Sequence, residues 1–116
     1  MTTTFSSEAP PRAVDAILTI LHRELQRVLG SQLHSVLLYG SRARGDAGPQ
    51  SDIDVLVVMR DDFDYTDLMR RTSEVVAELS LQYDVVISRA FVTRERFENE
   101  QSPFVLNVRR EGVVLG

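Results

Sequence analysis

Three aspartates stand where a chain would ordinarily avoid charge. Asp52 and Asp54 flank Ile53 at the entrance of the apolar run Ile53–Met59, and Asp84 sits at the entrance of a second apolar segment, residues 83–90. A carboxylate at the mouth of an apolar strand is costly unless it is solvated, hydrogen-bonded or bound to a cation. Three brought together would also repel one another, so a cationic partner is expected. Mg²⁺ suits such a set, because it takes one or a few carboxylates at about 2.1 Å, keeps some of its water and accepts its remaining ligands from phosphates. Cysteine is absent and the two histidines, His22 and His34, lie apart, so no zinc cluster is indicated. Gly40-Ser41 ends another apolar segment, where glycine permits a sharp turn and close approach to a ligand while serine offers a hydroxyl. Arg42 and Arg44 follow on the same loop, with guanidinium forks able to neutralise the several oxygens of a departing pyrophosphate.

Positioning these groups requires particular elements. Val14, Ile17, Leu18, Leu21, Leu25, Val28 and Leu29 recur at helical spacing, predicting a first helix from Pro10 to a cap at Gly30. Residues 34–39 predict the first strand, residues 41–46 a single helical turn, and Gly45, Gly48 and Pro49 a loop. Ile53–Met59 predicts a central strand buried on both faces. A helix over about residues 64–80, a strand over 83–90, a short turn over 93–97, a last helix over Pro103–Glu111 and a small strand over 113–115 complete the chain. The second and third strands, joined by a helix, should run parallel; the first, joined to the second by about a dozen residues, should return antiparallel. One edge then collects Gly40-Ser41, Asp52, Asp54 and Asp84. Alternation along a strand puts Asp52 and Asp54 on the same face, about 7 Å apart at the backbone.

The 116 residues suit one domain, residues 10–116, behind a small polar tail of residues 1–9 expected to be flexible. A hydrophobic content of 43% and a charged content of 26% are ordinary for a globular chain. No apolar stretch approaches the ~20 residues of a membrane span, and the first residues lack the blocks of a signal peptide, which makes a cytoplasmic location the expectation. The net charge of -4 offers no global positive field, so direct nucleic-acid binding is not expected. All 13 basic residues are arginine, which is read as a coding bias of the source genome.

Gly40-Ser41, ten residues, then Asp52-Ile53-Asp54 resembles the G-S-x10-D-x-D pattern of the DNA polymerase beta-like nucleotidyltransferase superfamily. The fuller run from Leu38 to Gly45, with Ser51 to Asp54, most resembles the minimal nucleotidyltransferases that partner HEPN-domain proteins in toxin–antitoxin pairs. The resemblance spans residues 10–116. It implies an α/β (α+β) fold, a small mixed sheet flanked by helices. It implies Asp52 and Asp54 as ligands of two catalytic Mg²⁺ ions, with Asp84 as third carboxylate nearest the acceptor hydroxyl, and Gly40, Ser41, Arg42 and Arg44 around the phosphates. It further implies an antitoxin that transfers AMP from ATP to a tyrosine hydroxyl of a HEPN toxin. The alternatives are a neutralising binding module with vestigial chemistry and a transferase acting on small molecules such as aminoglycosides.

Other conspicuous residues take simpler readings. His22 reads as a helix-surface residue, His34 as a strand-entry residue, and Arg109-Arg110-Glu111 as a solvated face. Phe91, Phe97 and Phe104 read as core or a satellite cluster in preference to a base-stacking site.

Overall fold

The computed structural model describes residues 4–45, 48 and 52–116, the first ten of these by backbone alone. The expected turn at Pro49 and the motif's Ser51 lie outside the described residues, as do Met1 to Thr3 of the tail. Helix α1, Thr4–Leu29, leads through a short 3-10 turn, Gly30–Gln32, into strand β1, Leu33–Tyr39. Helix α2, Ser41–Arg44, is a single turn before strand β2, Ile53–Met59. Helix α3, Tyr65–Tyr83, precedes strand β3, Ile87–Thr93, after which come helices α4, Arg94–Asn99, and α5, Pro103–Glu111, and strand β4, Val113–Val114. The sheet has the order β3-β2-β1-β4, with β2 parallel to β3 and β1 antiparallel to both β2 and β4. This is the mixed sheet with flanking helices that the sequence predicts.

Side chains leave each strand alternately to two faces, and each face has its own apolar layer. Val36, Leu38, Ile53, Val55, Val57, Met59, Ile87 and Phe91 meet Leu21 and Leu25 of α1 and Leu68, Val75, Val76 and Leu79 of α3. Leu37, Leu56, Val58 and Val92 meet Val108 of α5 and Phe97 of α4 on the other face. Between these layers β2 is buried on both sides, which explains why its sequence is an unbroken apolar run after Asp54. Each well-placed helix start has its own cap: Asp64, Thr93 and Ser102 accept from the amides of Asp67, Arg96 and Val105. Pro103 at the first position of α5 adds a preset φ.

Two arginines join the layers. Arg71 on α3 donates to the Val28 carbonyl at 3.0 Å and to Gln32 Oε1 at 3.1 Å, closing an orphan acceptor in the last turn of α1. Arg89 on β3 donates to Thr72 Oγ1 at 2.8 Å, the Met69 carbonyl at 3.0 Å and Ser73 Oγ at 3.2 Å. Among the described residues no helix is long and apolar enough to cross a membrane.

The largest departures from the sequence expectation are at the start of α1 and at the junction of α3 with β3. Helix α1 reaches back to Thr4, ahead of Pro10-Pro11 where the periodic apolar stripe predicts its start. Helix α3 runs to Tyr83 and not to residue 80, so β3 starts four residues later than expected and Asp84 is not a strand residue. Tyr83 follows Val76 and Leu79 at helical steps and packs on the same apolar layer, so its burial continues the helix. Asp84 then ends α3 in the left-handed conformation, φ 52° and ψ 54°, a geometry that aspartate tolerates better than most residues.

Candidate active site

The C-terminal end of β1 and the N-terminal end of β2 meet at one corner of the sheet, where Tyr39 is the antiparallel partner of Asp54. Leu37 and Tyr39 share a face with Asp54, Leu56 and Val58, the face that α5 covers. Asp52, two residues before Asp54, is exposed, whereas Asp54 is half-buried. Burial first, and then the charge of Asp52, push the Asp54 carboxyl above the ordinary carboxylate range. Burial, and then Asp54, likewise push the Tyr39 hydroxyl up, so Tyr39 stays a neutral phenol beside the acid.

Gly40 makes this corner possible. Its backbone, φ 77° and ψ -158°, lies in a region open essentially to glycine alone. A Cβ placed there would fall 2.6 Å from Asp54 Oδ2. The carboxylate therefore fills the space that any side chain at position 40 would need. Sharp reversal at Gly40 also starts α2, where the amides of Ala43 and Arg44 both donate to its carbonyl at 3.1 Å. Ser41 opens that turn, directly after the glycine that packs on Asp54. Arg42 and Arg44 complete it, and Arg44 reaches Glu111 on α5 at 3.9 Å, tying the loop to the last helix.

On the other side of β2 the parallel register sets Ser88 of β3 beside Asp54. Ile53 donates its amide to the Val86 carbonyl at 2.9 Å, so the edge strand is already attached at this level. Asp84 lies two residues before Val86, exposed on the α3–β3 connection. Among the described residues no three His, Cys, Asp or Glu side chains gather closely enough to hold a metal together. The expected three-carboxylate edge thus resolves into Asp54 on β2, Asp52 one residue ahead of the strand, and Asp84 on a neighbouring connection. Neither histidine joins them: His34 contacts Ser35 Oγ at 3.1 Å, and His22 on α1 packs beside Gly116.

The donor set fits a hard divalent cation. Two carboxylates two residues apart, Asp54 on β2 and Asp52 just before it, the first half out of water and raised by burial and then by the other's charge, are the chemistry Mg²⁺ takes. The sequence gives no separate signal for Tyr39 beyond its place next to Gly40, and it assigns Phe104 to packing. The structure stacks their rings edge to face, with centroids 5.3 Å apart and planes at 84°.

Known proteins resemble this chain in sequence and in fold. Two Methanocaldococcus jannaschii proteins, each carrying the name "putative protein adenylyltransferase", are similar to this chain. One is 38% identical over 85 residues, covering 72% of this chain and 79% of the relative. The other is 31% identical over 72 residues, covering 62% and 72%. In three dimensions the fold matches a crystal structure of a "putative nucleotidyltransferase" from Sulfolobus solfataricus, with TM-score 0.60, 20% identity and coverage of 90% of this chain and 84% of that one. It also matches a toxin–antitoxin crystal structure with AMP-PNP, with TM-score 0.55, 22% identity and coverage of 83% and 70%. Residues 17–113 match the nucleotidyltransferase domain family, and with Gly40 packed on Asp54 this chain belongs to that family.

Proposed function

We propose that this nucleotidyltransferase moves AMP from ATP to a tyrosine hydroxyl of a partner protein, as the antitoxin that silences a HEPN-domain toxin. The observation that carries the reading is the contact of Gly40 with Asp54, which brings the phosphate turn and the acidic pair to one point. The names of the two Methanocaldococcus relatives support protein as the acceptor, and the toxin–antitoxin likeness supports the kind of partner.

Asp52 and Asp54 would hold Mg²⁺, which when bound supplies positive charge to the triphosphate and acidifies the attacking hydroxyl. The turn at Gly40 lets backbone approach the triphosphate, and Ser41 Oγ donates to it. Arg42 and Arg44 receive the departing pyrophosphate. A new bond forms between the tyrosine oxygen and the α-phosphorus while the bond from that phosphorus to pyrophosphate breaks. The hydroxyl proton leaves toward Asp84, which stands on the β3 side, away from the Gly40-Ser41 turn.

The test is the intact mass of a HEPN-domain partner after incubation with this chain, ATP and Mg²⁺. A gain of one or more AMP units that is lost with Asp52→Asn supports the reading. Co-purification of the two proteins with no mass gain overturns it in favour of neutralisation by binding alone.

A further inference from the structure

Phe104 is the one phenylalanine of the second apolar layer's surroundings that does not sink into it. Phe97 packs against that layer, and Phe91 is buried in the first layer on the opposite face, but 41% of Phe104 remains open to solvent. Its place is set from both directions. Ser102 and Pro103 fix the start of α5, so Phe104 lies in the first turn of a capped helix. Tyr39 meets the ring edge to face, and Tyr39 is itself the cross-strand partner of Asp54. Two steps of about 5 Å each, one across the strands and one between the rings, separate the acidic pair from an open aromatic surface.

Three directions leave an α-phosphate held at Asp52 and Asp54. The triphosphate lies toward the Gly40-Ser41 turn. In-line attack must come from the opposite side, over the edge strand β3. Across the sheet face toward α5, the rings of Tyr39 and then Phe104 follow Asp54, a direction that stays open to the ribose and base.

We propose that Phe104, held in place by Tyr39, is the stacking platform for the base of the donor nucleotide. The inference rests on the nucleotidyl-transfer reading above and adds the base subsite to it. Stacking on one ring tolerates any base, so Phe104 contributes affinity for nucleosides without choosing among them.

The chain contains no tryptophan, so Phe104→Trp introduces a single fluorescent reporter at the platform. In Mg²⁺, ATP should quench that tryptophan while inorganic tripolyphosphate leaves its emission unchanged. Phe104→Ala should weaken ATP binding about tenfold or more and leave tripolyphosphate affinity within about twofold of the wild type. Equal ATP affinity in wild type and Phe104→Ala, or an equal loss for both ligands, overturns the proposal. A rise in the acceptor's KM with ATP affinity intact overturns it too, giving the ring to the acceptor. If wild-type protein binds neither ligand, the nucleotide reading fails, and the base subsite with it.

Discussion

Arg89 and Asp54 are both charged groups drawn partly out of water on neighbouring strands, and the protein treats them in opposite ways. Arg89 is met by three acceptors from α3, so its buried charge holds a helix against the sheet. Burial still lowers its pKa, but the guanidinium remains far from losing its proton. Asp54 is met by a second acid, and the two influences on its carboxyl both oppose ionisation. One region spends its polar groups on the fold; the other sets two acids against each other, a repulsion that a bound cation would relieve.

Breaking the acidic side should have the largest effect on chemistry. Asp52→Asn and Asp54→Asn should each lower AMP transfer by more than about a hundredfold, the upper cost of losing a group that merely orients a metal ligand. Circular dichroism should show both variants folded, and labelled ATP measures the loss. Next comes Gly40→Ala, whose methyl would displace the Asp54 carboxylate and whose backbone would be strained by about 1–3 kcal/mol. Transfer per folded molecule should fall more than stability does, a split that urea melts and initial rates separate.

On the compensated side the order reverses. Arg89→Ala should cost about 1–3 kcal/mol by removing three hydrogen bonds at a half-buried site, with transfer by the folded fraction unchanged. Exposed pairs such as Arg94–Glu98, at 3.1 Å, should do little: Arg94→Ala should shift stability by under about 0.5 kcal/mol in the same melts.

How far the sequence discloses this contrast depends on the residue. Strand β2 and helix α5 have the predicted limits, because burial on both faces makes Ile53–Met59 continuous and because Pro103 opens a helix that Gly112 closes. The junction of α3 and β3 was harder to read, since residues 83–87 are β-branched and aromatic enough for a strand while Tyr83 also extends the buried stripe of α3. Tertiary packing of Tyr83 decides between them. Gly40, Asp52 and Asp54 are legible as a motif, but the overlap of Asp54 with the missing side chain of Gly40 is a contact across strands that spacing cannot express. Phe104 reads as packing in the sequence because it shares an amphipathic helix with Val105 and Val108, and only the placement of α5 against Tyr39 shows its ring on the shoulder of that stripe.

The repulsion itself can be measured through stability. A carboxyl raised above its unfolded value contributes stability that is complete below the unfolded pKa and is lost as pH rises through the folded pKa. Wild-type protein at neutral pH has therefore lost what Asp54 contributes in acid, and Asp54→Asn keeps it. The direct measurement is the melting temperature of wild type and Asp54→Asn without divalent metal and with excess Mg²⁺. Without metal at pH 7 the variant should melt higher than the wild type, a gain that fades as pH falls below the carboxylate range; with Mg²⁺ only the wild type should rise. A variant less stable than wild type without metal, together with no response of the wild type to Mg²⁺, would contradict the claim that this corner is held for a cation.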